Sequence, residues 1–130
     1  MVATGSGKLL GVRSGGVDVF RGIPYGDDVS GAHRFLPAKP SRPWRGVRDA
    51  TRFGSPAVQP PGGTCGVNEP APAENCLVLN VWTPSGRGAK RPVMFYSHGG
   101  ALVSGSGSGR TQDGSNLARE QDVVVVASNH

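Results

Sequence analysis

The chain has 130 residues and a net charge of +5, and this length fits one small domain. Its arginines are scattered among acidic residues and are not interleaved with aromatic ones, a pattern that argues against nucleic-acid binding. No window is apolar enough to span a membrane, and the first residues lack the apolar core of a secretory signal, so we expect a soluble, cytoplasmic protein.

The N-terminal part is predicted to form short strands followed by a long irregular segment. Residues 8–26 contain two apolar runs on either side of Ser14-Gly15-Gly16, and a Gly-Gly pair between such runs indicates a β-hairpin. Residues 27–61 contain six prolines, each of which removes a backbone donor, so we expect mostly irregular chain there. Residues 62–73 are expected to form an exposed loop. The expected anchors of the irregular segment are its aromatic residues Phe35, Trp44 and Phe53.

The C-terminal half predicts an α/β fold. Residues 76–82, 91–98 and 122–129 are dense in β-branched and other apolar side chains, as is typical of buried strands. We expect residues 91–98 to lie in the middle of a sheet, and residues 122–129 to lack the neighbours that a buried strand needs. A short helix through residues 116–121, capped by Asp113 or Ser115, would complete a right-handed βαβ crossover. The predicted fold is a mixed sheet with antiparallel N-terminal strands.

Nucleotide and metal sites receive little support from the sequence. The stretches GSGSGRT (105–111) and TGSGKLL (4–10) are rich in glycine, but neither has the spacing, lysine and preceding strand of a phosphate-binding loop. His98 has no histidine or carboxylate near it in sequence, so we expect no metal. Cys65 and Cys76 are the only cysteines, too few for a structural zinc site, although they could close one disulfide in an oxidising compartment.

The stretch SHGGAL (97–102) indicates a different chemistry. It follows the predicted strand at residues 91–98, at the carboxyl end where α/β folds place their ligands. Glycines let the backbone adopt positive φ and let a substrate approach closely. Two amides directed at one carbonyl oxygen would stabilise the negative charge that develops on it during acyl transfer. This stretch therefore predicts an oxyanion-binding loop.

Five motifs, in order along the chain, resemble the N-terminal part of the type B carboxylesterase family. They are FRGIPYG (20–26), RFLPAKPSRPWRGVRDATRFG (34–54), ENCLVLNVWTP (74–84), RPVMFYSHGGALVSGSGS (91–108) and DVVVVASN (122–129). The resemblance implies that residues 1–130 are the first part of an α/β-hydrolase domain. It also implies hydrolysis of a small carboxylic ester through a serine acyl-enzyme, without cofactor or metal.

The resemblance assigns roles to individual residues. Gly100 and Ala101 match the positions whose backbone amides form the family's oxyanion hole, while His98 and Gly99 match the turn that shapes the loop. Cys76 matches a signature cysteine that pairs with an earlier cysteine in secreted members. Cys65 is a candidate partner, although the family's earlier cysteine would fall nearer position 57. The sequence departs from the family pattern at Asn75, Val78, Ser97, Leu102 and the terminal SNH.

The nucleophile of this chemistry is not found in the sequence. No serine has glycine two residues before and two residues after it, as the G-x-S-x-G turn requires. In this fold the serine, acid and histidine follow the oxyanion loop in that order, so neither His33 nor His130 can be assigned as the catalytic histidine. We therefore expect a domain truncated before the nucleophile and inactive alone, with a C-terminal companion chain as one source of the missing groups. The alternatives are a non-catalytic interaction domain and, less favoured, a nucleotide-binding module.

Overall fold

The computed structural model describes residues 1–61, 70–86 and 90–130. Its regular elements are short, and they alternate with long connecting segments. Two single-turn 3-10 helices lie at Gly31–His33 and Arg110–Gln112. The remaining elements are, in chain order, β1 (Val2–Thr4), β2 (Gly7–Leu10), β3 (Val12–Ser14), β4 (Val17–Pro24), β5 (Val47–Asp49), β6 (Val78–Pro84), β7 (Val93–Ser97), α1 (Ser115–Gln121) and β8 (Val124–Ser128).

The main sheet has five strands in the order β3-β4-β6-β8-β7. Strand β4 is antiparallel to both β3 and β6, and β6 is antiparallel to β8, whereas β7 and β8 run parallel. The predicted hairpin is confirmed, since Ser14 pairs with Val17 across the Gly15-Gly16 turn. The predicted mixed sheet with antiparallel N-terminal strands is confirmed as well. A smaller sheet of three strands, β1-β2-β5, lies beside it.

One core cluster forms where α1 packs on the main sheet. Register places Val19 opposite Trp82 and Trp82 opposite Val125, so these three side chains share one face across three strands. Ala118 of α1 is fully buried against this face. The helix begins after Gly114, where an added Cβ would lie 2.7 Å from the Val125 side chain. The close approach of helix and sheet therefore requires glycine at the helix start.

The prediction that Asp113 or Ser115 caps this helix is wrong. Gly114 is the N-cap residue, and no side chain caps the helix. Asp113 lies one residue earlier, and its Oδ1 accepts a hydrogen bond of 2.8 Å from the backbone N–H of Ser115. The aspartate thus binds an amide of the first turn from outside the cap position. The packing of Gly114 against the sheet explains why a residue without a side chain takes that place.

The irregular segment before residue 62 is anchored by two of its three predicted aromatics. Trp44 packs against the second core cluster, around Leu9 and Phe20, and its indole N–H donates to the Lys8 carbonyl at 2.9 Å. Phe53 packs against the first cluster. The expectation for Phe35 is wrong, because its side chain is 99% exposed.

The two C-terminal strands exchange the positions expected for them. Strand β8 lies between β6 and β7 and has a partner on each side, with Val125 and Ala127 buried. Strand β7 is the edge strand, and all five of its residues are exposed. Apolar composition alone predicted a central position for β7, but within residues 1–61, 70–86 and 90–130 no element covers either of its faces. In the same described ranges, no helix is long and apolar enough to cross a membrane.

Candidate functional site

The glycine turn, residues 98–104, follows directly after β7. The Gly100 carbonyl accepts hydrogen bonds from the amides of Val103 at 2.9 Å and Ser104 at 3.1 Å, which closes the turn on itself. Gly100 has φ of 137°, and a Cβ there would overlap the Ser104 carbonyl oxygen. The two residues after it, Ala101 and Leu102, have φ of 53° and 61°, in the left-handed region that non-glycine residues rarely adopt. The turn is therefore a tightly folded and strained backbone.

The amides of Gly100 and Ala101 have no partner in the described part of the chain. None of the hydrogen bonds there has either N–H group as its donor. Gly100 is half-buried and Ala101 is exposed. A cavity of about 270 Å³ adjoins the turn, and His98 and Leu102 are among its lining residues, whereas Gly100 and Ala101 are not.

His98 contacts its own turn and a second histidine. Its Nδ1 lies 3.0 Å from the Gly99 carbonyl oxygen, and because a carbonyl only accepts, this contact requires a proton on Nδ1. The His98 ring stacks on the His130 ring, with centroids 4.1 Å apart and planes inclined by 16°. The Ser97 hydroxyl lies 3.5 Å from His130 Nδ1. Sequence separation had placed His98 and His130 apart, whereas the parallel β7–β8 pair brings both strand ends together.

Metal binding gains no support from this cluster. Across the described ranges, no group of three or more histidine, cysteine, aspartate or glutamate side chains converges on one point. Two imidazole rings stacked face to face direct their nitrogens past each other instead of at a common ion.

The serine–glycine segment, residues 105–109, is buried instead of exposed. Gly107 is held by two buried asparagines: its N–H donates to Asn129 Oδ1 at 2.8 Å, and its carbonyl accepts from Asn80 Nδ2 at 3.1 Å. A Cβ on Gly107 would lie 2.9 Å from the backbone of Ser128, so only glycine lets the segment lie against β8. The segment therefore packs on the sheet immediately after the glycine turn.

These contacts argue against a phosphate site in GSGSGRT. The amides of Gly105, Gly107 and Ser108 donate to Gln59 Oε1, Asn129 Oδ1 and Ser106 Oγ, respectively. A phosphate-binding loop requires such amides to point outward at a ligand. Here these amides donate hydrogen bonds to side-chain oxygens inside the protein.

Sequence reasoning missed the amide side chains that hold this region. Asn80 and Asn129 are each 1% exposed, and both lie on or beside strands whose neighbours are apolar. A buried polar residue must find partners, so an asparagine within the run LVLNVW was the available signal. Asn80 Oδ1 also accepts from Gly22 N–H at 3.0 Å, and Asn129 Nδ2 donates to the Ser55 carbonyl at 2.9 Å. The two asparagines thus connect the serine–glycine segment to β4 at Gly22 and to the irregular segment at Ser55.

Cys65 lies outside the described residues, so its disulfide with Cys76 stays a prediction. Cys76 is buried, and burial raises the pKa of its thiol. Nearby, the Tyr25 hydroxyl donates to the Asn129 carbonyl at 2.6 Å. Burial, and to a smaller degree Cys76, raises the pKa of Tyr25. Both groups are therefore favoured in their neutral forms.

Comparison with known proteins gives a consistent result. The family model described as the carboxylesterase family matches residues 1–130. The phenmedipham hydrolase of Pseudarthrobacter oxydans is 41% identical over 132 aligned residues, which cover 98% of this chain and 27% of that protein. The para-nitrobenzyl esterase of Bacillus subtilis is 38% identical, with 100% of this chain and 27% of that protein covered.

Solved structures agree with the sequence comparison. A carboxylesterase from Geobacillus stearothermophilus superposes with a TM-score of 0.90 and 46% identity, covering 99% of this chain and 26% of that one. The α/β-hydrolase fold class is therefore established. The chain spans about a quarter of the length of the relatives that it matches.

Proposed function

The chain belongs to the carboxylesterase family, and on that premise we propose that it supplies the oxyanion-binding turn of an enzyme that hydrolyses small carboxylic esters. The observation that carries the proposal is the pair of amides at Gly100 and Ala101, which lack an internal partner among the described residues and lie on a self-closed, strained turn. No cofactor is needed for this chemistry.

The proposed reaction proceeds in two acyl transfers. A serine oxygen attacks the ester carbonyl carbon, the carbonyl electron pair moves to its oxygen, and the serine proton passes to a base. The Gly100 and Ala101 N–H groups donate hydrogen bonds to that oxyanion until the alcohol leaves with the proton. Water then attacks the acyl-enzyme in the same manner and releases the carboxylic acid. The turn's backbone binds the charge in both steps.

The nucleophile must come from other polypeptide, because no serine in the sequence lies in a G-x-S-x-G turn. We propose that a C-terminal companion, on the same or another chain, packs beside β7 and provides the serine, acid and histidine. The edge position of β7, which leads directly into the glycine turn, supports this arrangement. Residues 1–130 alone are proposed to be inactive.

The test is a chimera in which this chain replaces the matched segment of the para-nitrobenzyl esterase, a relative that aligns with all of it. Hydrolysis of p-nitrophenyl butyrate is measured for the chimera and two variants. Ala101→Pro removes the amide proton and, because proline fixes φ near −65°, also displaces the turn from its φ of 53°, so kcat should fall by roughly 100-fold or more. Ala101→Gly keeps the amide and tolerates φ of 53°, so kcat should stay within about fivefold.

Two results would contradict the proposal. One is a chimera that unfolds cooperatively near the parent's melting temperature yet lacks hydrolysis. The other is an Ala101→Pro variant that keeps its kcat, since the oxyanion would then be bound elsewhere. The 130-residue chain alone, assayed under the same conditions, should give no turnover above background.

The alternative function is a non-catalytic interaction domain. The apolar strand β7, whose five residues are all exposed, is the observation that favours it. A chain that binds a partner through β7 while its chimera stays inactive would support this alternative over the hydrolase.

A further inference from the structure

Gln59 binds both backbone polar groups of a single residue, Gly105. Its Oε1 accepts from the Gly105 N–H at 2.8 Å, and its Nε2 donates to the Gly105 carbonyl at 3.0 Å. The second Nε2 proton is donated to the Ala57 carbonyl at 3.1 Å. The side-chain amide thus acts as a strand partner would. Gln59 is half-buried and lines the cavity beside the glycine turn.

Gly105 in turn contacts the first residues of the glycine turn. It has φ of 113°, and a Cβ there would overlap the Gly99 carbonyl oxygen and lie 2.6 Å from His98 Nδ1. The two ends of the turn are therefore pressed together at Gly99 and Gly105. Since the turn between them closes on the Gly100 carbonyl, a shift of Gly105 must move Gly99 and Gly100 with it.

We propose that Gln59 is a positioning residue for the glycine turn, fixing the direction of the Gly100 and Ala101 amides through Gly105. The effect of Gln59 on catalysis rests on the proposed function, whereas its effect on the conformation of the turn does not. Asn80 and Asn129 bind Gly107, but each is buried and also binds a distant backbone group, Gly22 of β4 for Asn80 and Ser55 for Asn129. Within the described residues, the hydrogen bonds of the Gln59 side chain go to Ala57 and Gly105 alone, so its substitution should act locally.

The first experiment measures amide hydrogen exchange by NMR in the 130-residue chain. In Gln59→Leu, which loses the two hydrogen bonds to Gly105 and the one to Ala57, we expect the Gly105 amide to exchange at least roughly tenfold faster. The Gly100 and Ala101 amide shifts should change, while Val126 in β8 keeps its exchange rate. Gln59→Glu retains an acceptor for the Gly105 N–H and should give an intermediate rate. Gln121→Leu, at the exposed end of α1, is the control and should change none of these amides.

Equal exchange of Gly105 in the wild type and in Gln59→Leu would overturn the inference, whether the amide is protected in both or in neither. The second experiment measures hydrolysis of p-nitrophenyl butyrate by the chimera. Gln59→Leu should lower kcat roughly 10- to 100-fold with KM changed less than about threefold. A raised KM with unchanged kcat would also overturn the positioning role. An inactive wild-type chimera would contradict the proposed function instead, while the exchange rates would still decide whether Gln59 holds the turn.

Discussion

At the scale of single residues, the region around the glycine turn depends on backbone positions that exclude a side chain. Gly100, Gly105 and Gly107 each have backbone or ring atoms where a Cβ would lie. The sequence motif SHGGAL predicted a turn after the strand, because glycine permits positive φ and close approach of other groups. It did not identify what holds the turn, since hydrogen bonds from Gln59, Asn80 and Asn129 join positions that are distant in sequence.

Gly105→Ala should destabilise the fold by about 2 kcal/mol or more, because alanine is strained at φ of 113° and its Cβ would overlap the Gly99 carbonyl. Urea unfolding followed by tryptophan fluorescence measures the change. Gly99→Ala is the matched control from the same turn: a Cβ there has nothing within 4 Å, so we expect a change within about 0.5 kcal/mol. Equal destabilisation by both variants would disprove the steric account.

Tyr25→Phe should lower the free energy of unfolding by about 1 kcal/mol, since it removes the hydrogen bond to the Asn129 carbonyl. The folded state raises the pKa of Tyr25, mainly by burial, and so favours the neutral phenol. This contribution is therefore complete below the ordinary tyrosine pKa of about 10 and is lost as the pH rises past it. Denaturant titrations of wild type and variant at pH 7 and above pH 10 should show the difference shrinking. Tyr96→Phe serves as control, because the exposed Tyr96 hydroxyl has no hydrogen bond within the described residues.

At the scale of elements, the sequence correctly predicted elements that depend on adjacent residues. It failed for sheet positions, which depend on residues distant in sequence. The Gly15-Gly16 hairpin and the helix before β8 follow from adjacent residues and are confirmed. The positions of β7 and β8 in the sheet were predicted wrongly, because both runs are equally apolar and only the pairing order distinguishes edge from centre. Phe35 was wrongly predicted to be an anchor, because the sequence around an aromatic residue in a loop does not indicate whether its side chain is buried.

The hairpin of β3 and β4 gives a pH-dependent prediction. Asp18 accepts hydrogen bonds from Arg13 at 2.6 Å and Ser85 at 3.0 Å, and the Arg13 contact is the main cause that lowers the pKa of Asp18. A lowered pKa means that the ionised form stabilises the fold. That contribution is present above the ordinary carboxyl pKa of about 3.9 and is lost as the pH falls below it.

Asp18→Asn should therefore destabilise the chain at pH 7 by less than about 1 kcal/mol, since Arg13 is largely exposed and solvent screens the pair. Thermal unfolding at pH 7 and pH 3 provides the measurement, and the two proteins should differ less at pH 3. Asp113→Asn is a control without an ion pair among the described contacts of Asp113. A wild-type advantage that grows on acidification would have the wrong sign for this explanation.

At the scale of the whole molecule, the chain combines a formed turn with an uncovered strand. The first core cluster is formed by β4, β6, β8 and α1, and the second lies around Leu9 and Phe20, whereas β7 leads into the glycine turn at the sheet's edge. The proposed oxyanion-binding turn thus follows an edge strand whose five residues are all exposed. This placement agrees with a site that other polypeptide completes, since relatives are about four times as long as the matched segment.

The exposed β7 strand makes the isolated chain prone to association. Val93, Phe95 and their neighbours present apolar side chains on both faces beside an unpaired backbone edge, which is a template for pairing with another copy. The purified 130-residue chain should therefore bind a hydrophobic dye and form oligomers whose fraction rises with concentration, as followed by light scattering. Phe95→Lys should reduce both, because a charge on an edge strand opposes such pairing.

Phe35→Lys provides a control of the same residue type. Phe35 is 99% exposed, against 62% for Phe95, but it lies in a loop away from any strand edge. If exposed aromatic area alone drove association, the loop variant would reduce it at least as much as the strand variant. If the strand edge is responsible, Phe95→Lys should lower the oligomer fraction several-fold while Phe35→Lys leaves it near the wild-type level. A monodisperse wild-type monomer that binds no dye would show that β7 is covered in solution, and the edge argument would then fail together with the companion that it implies.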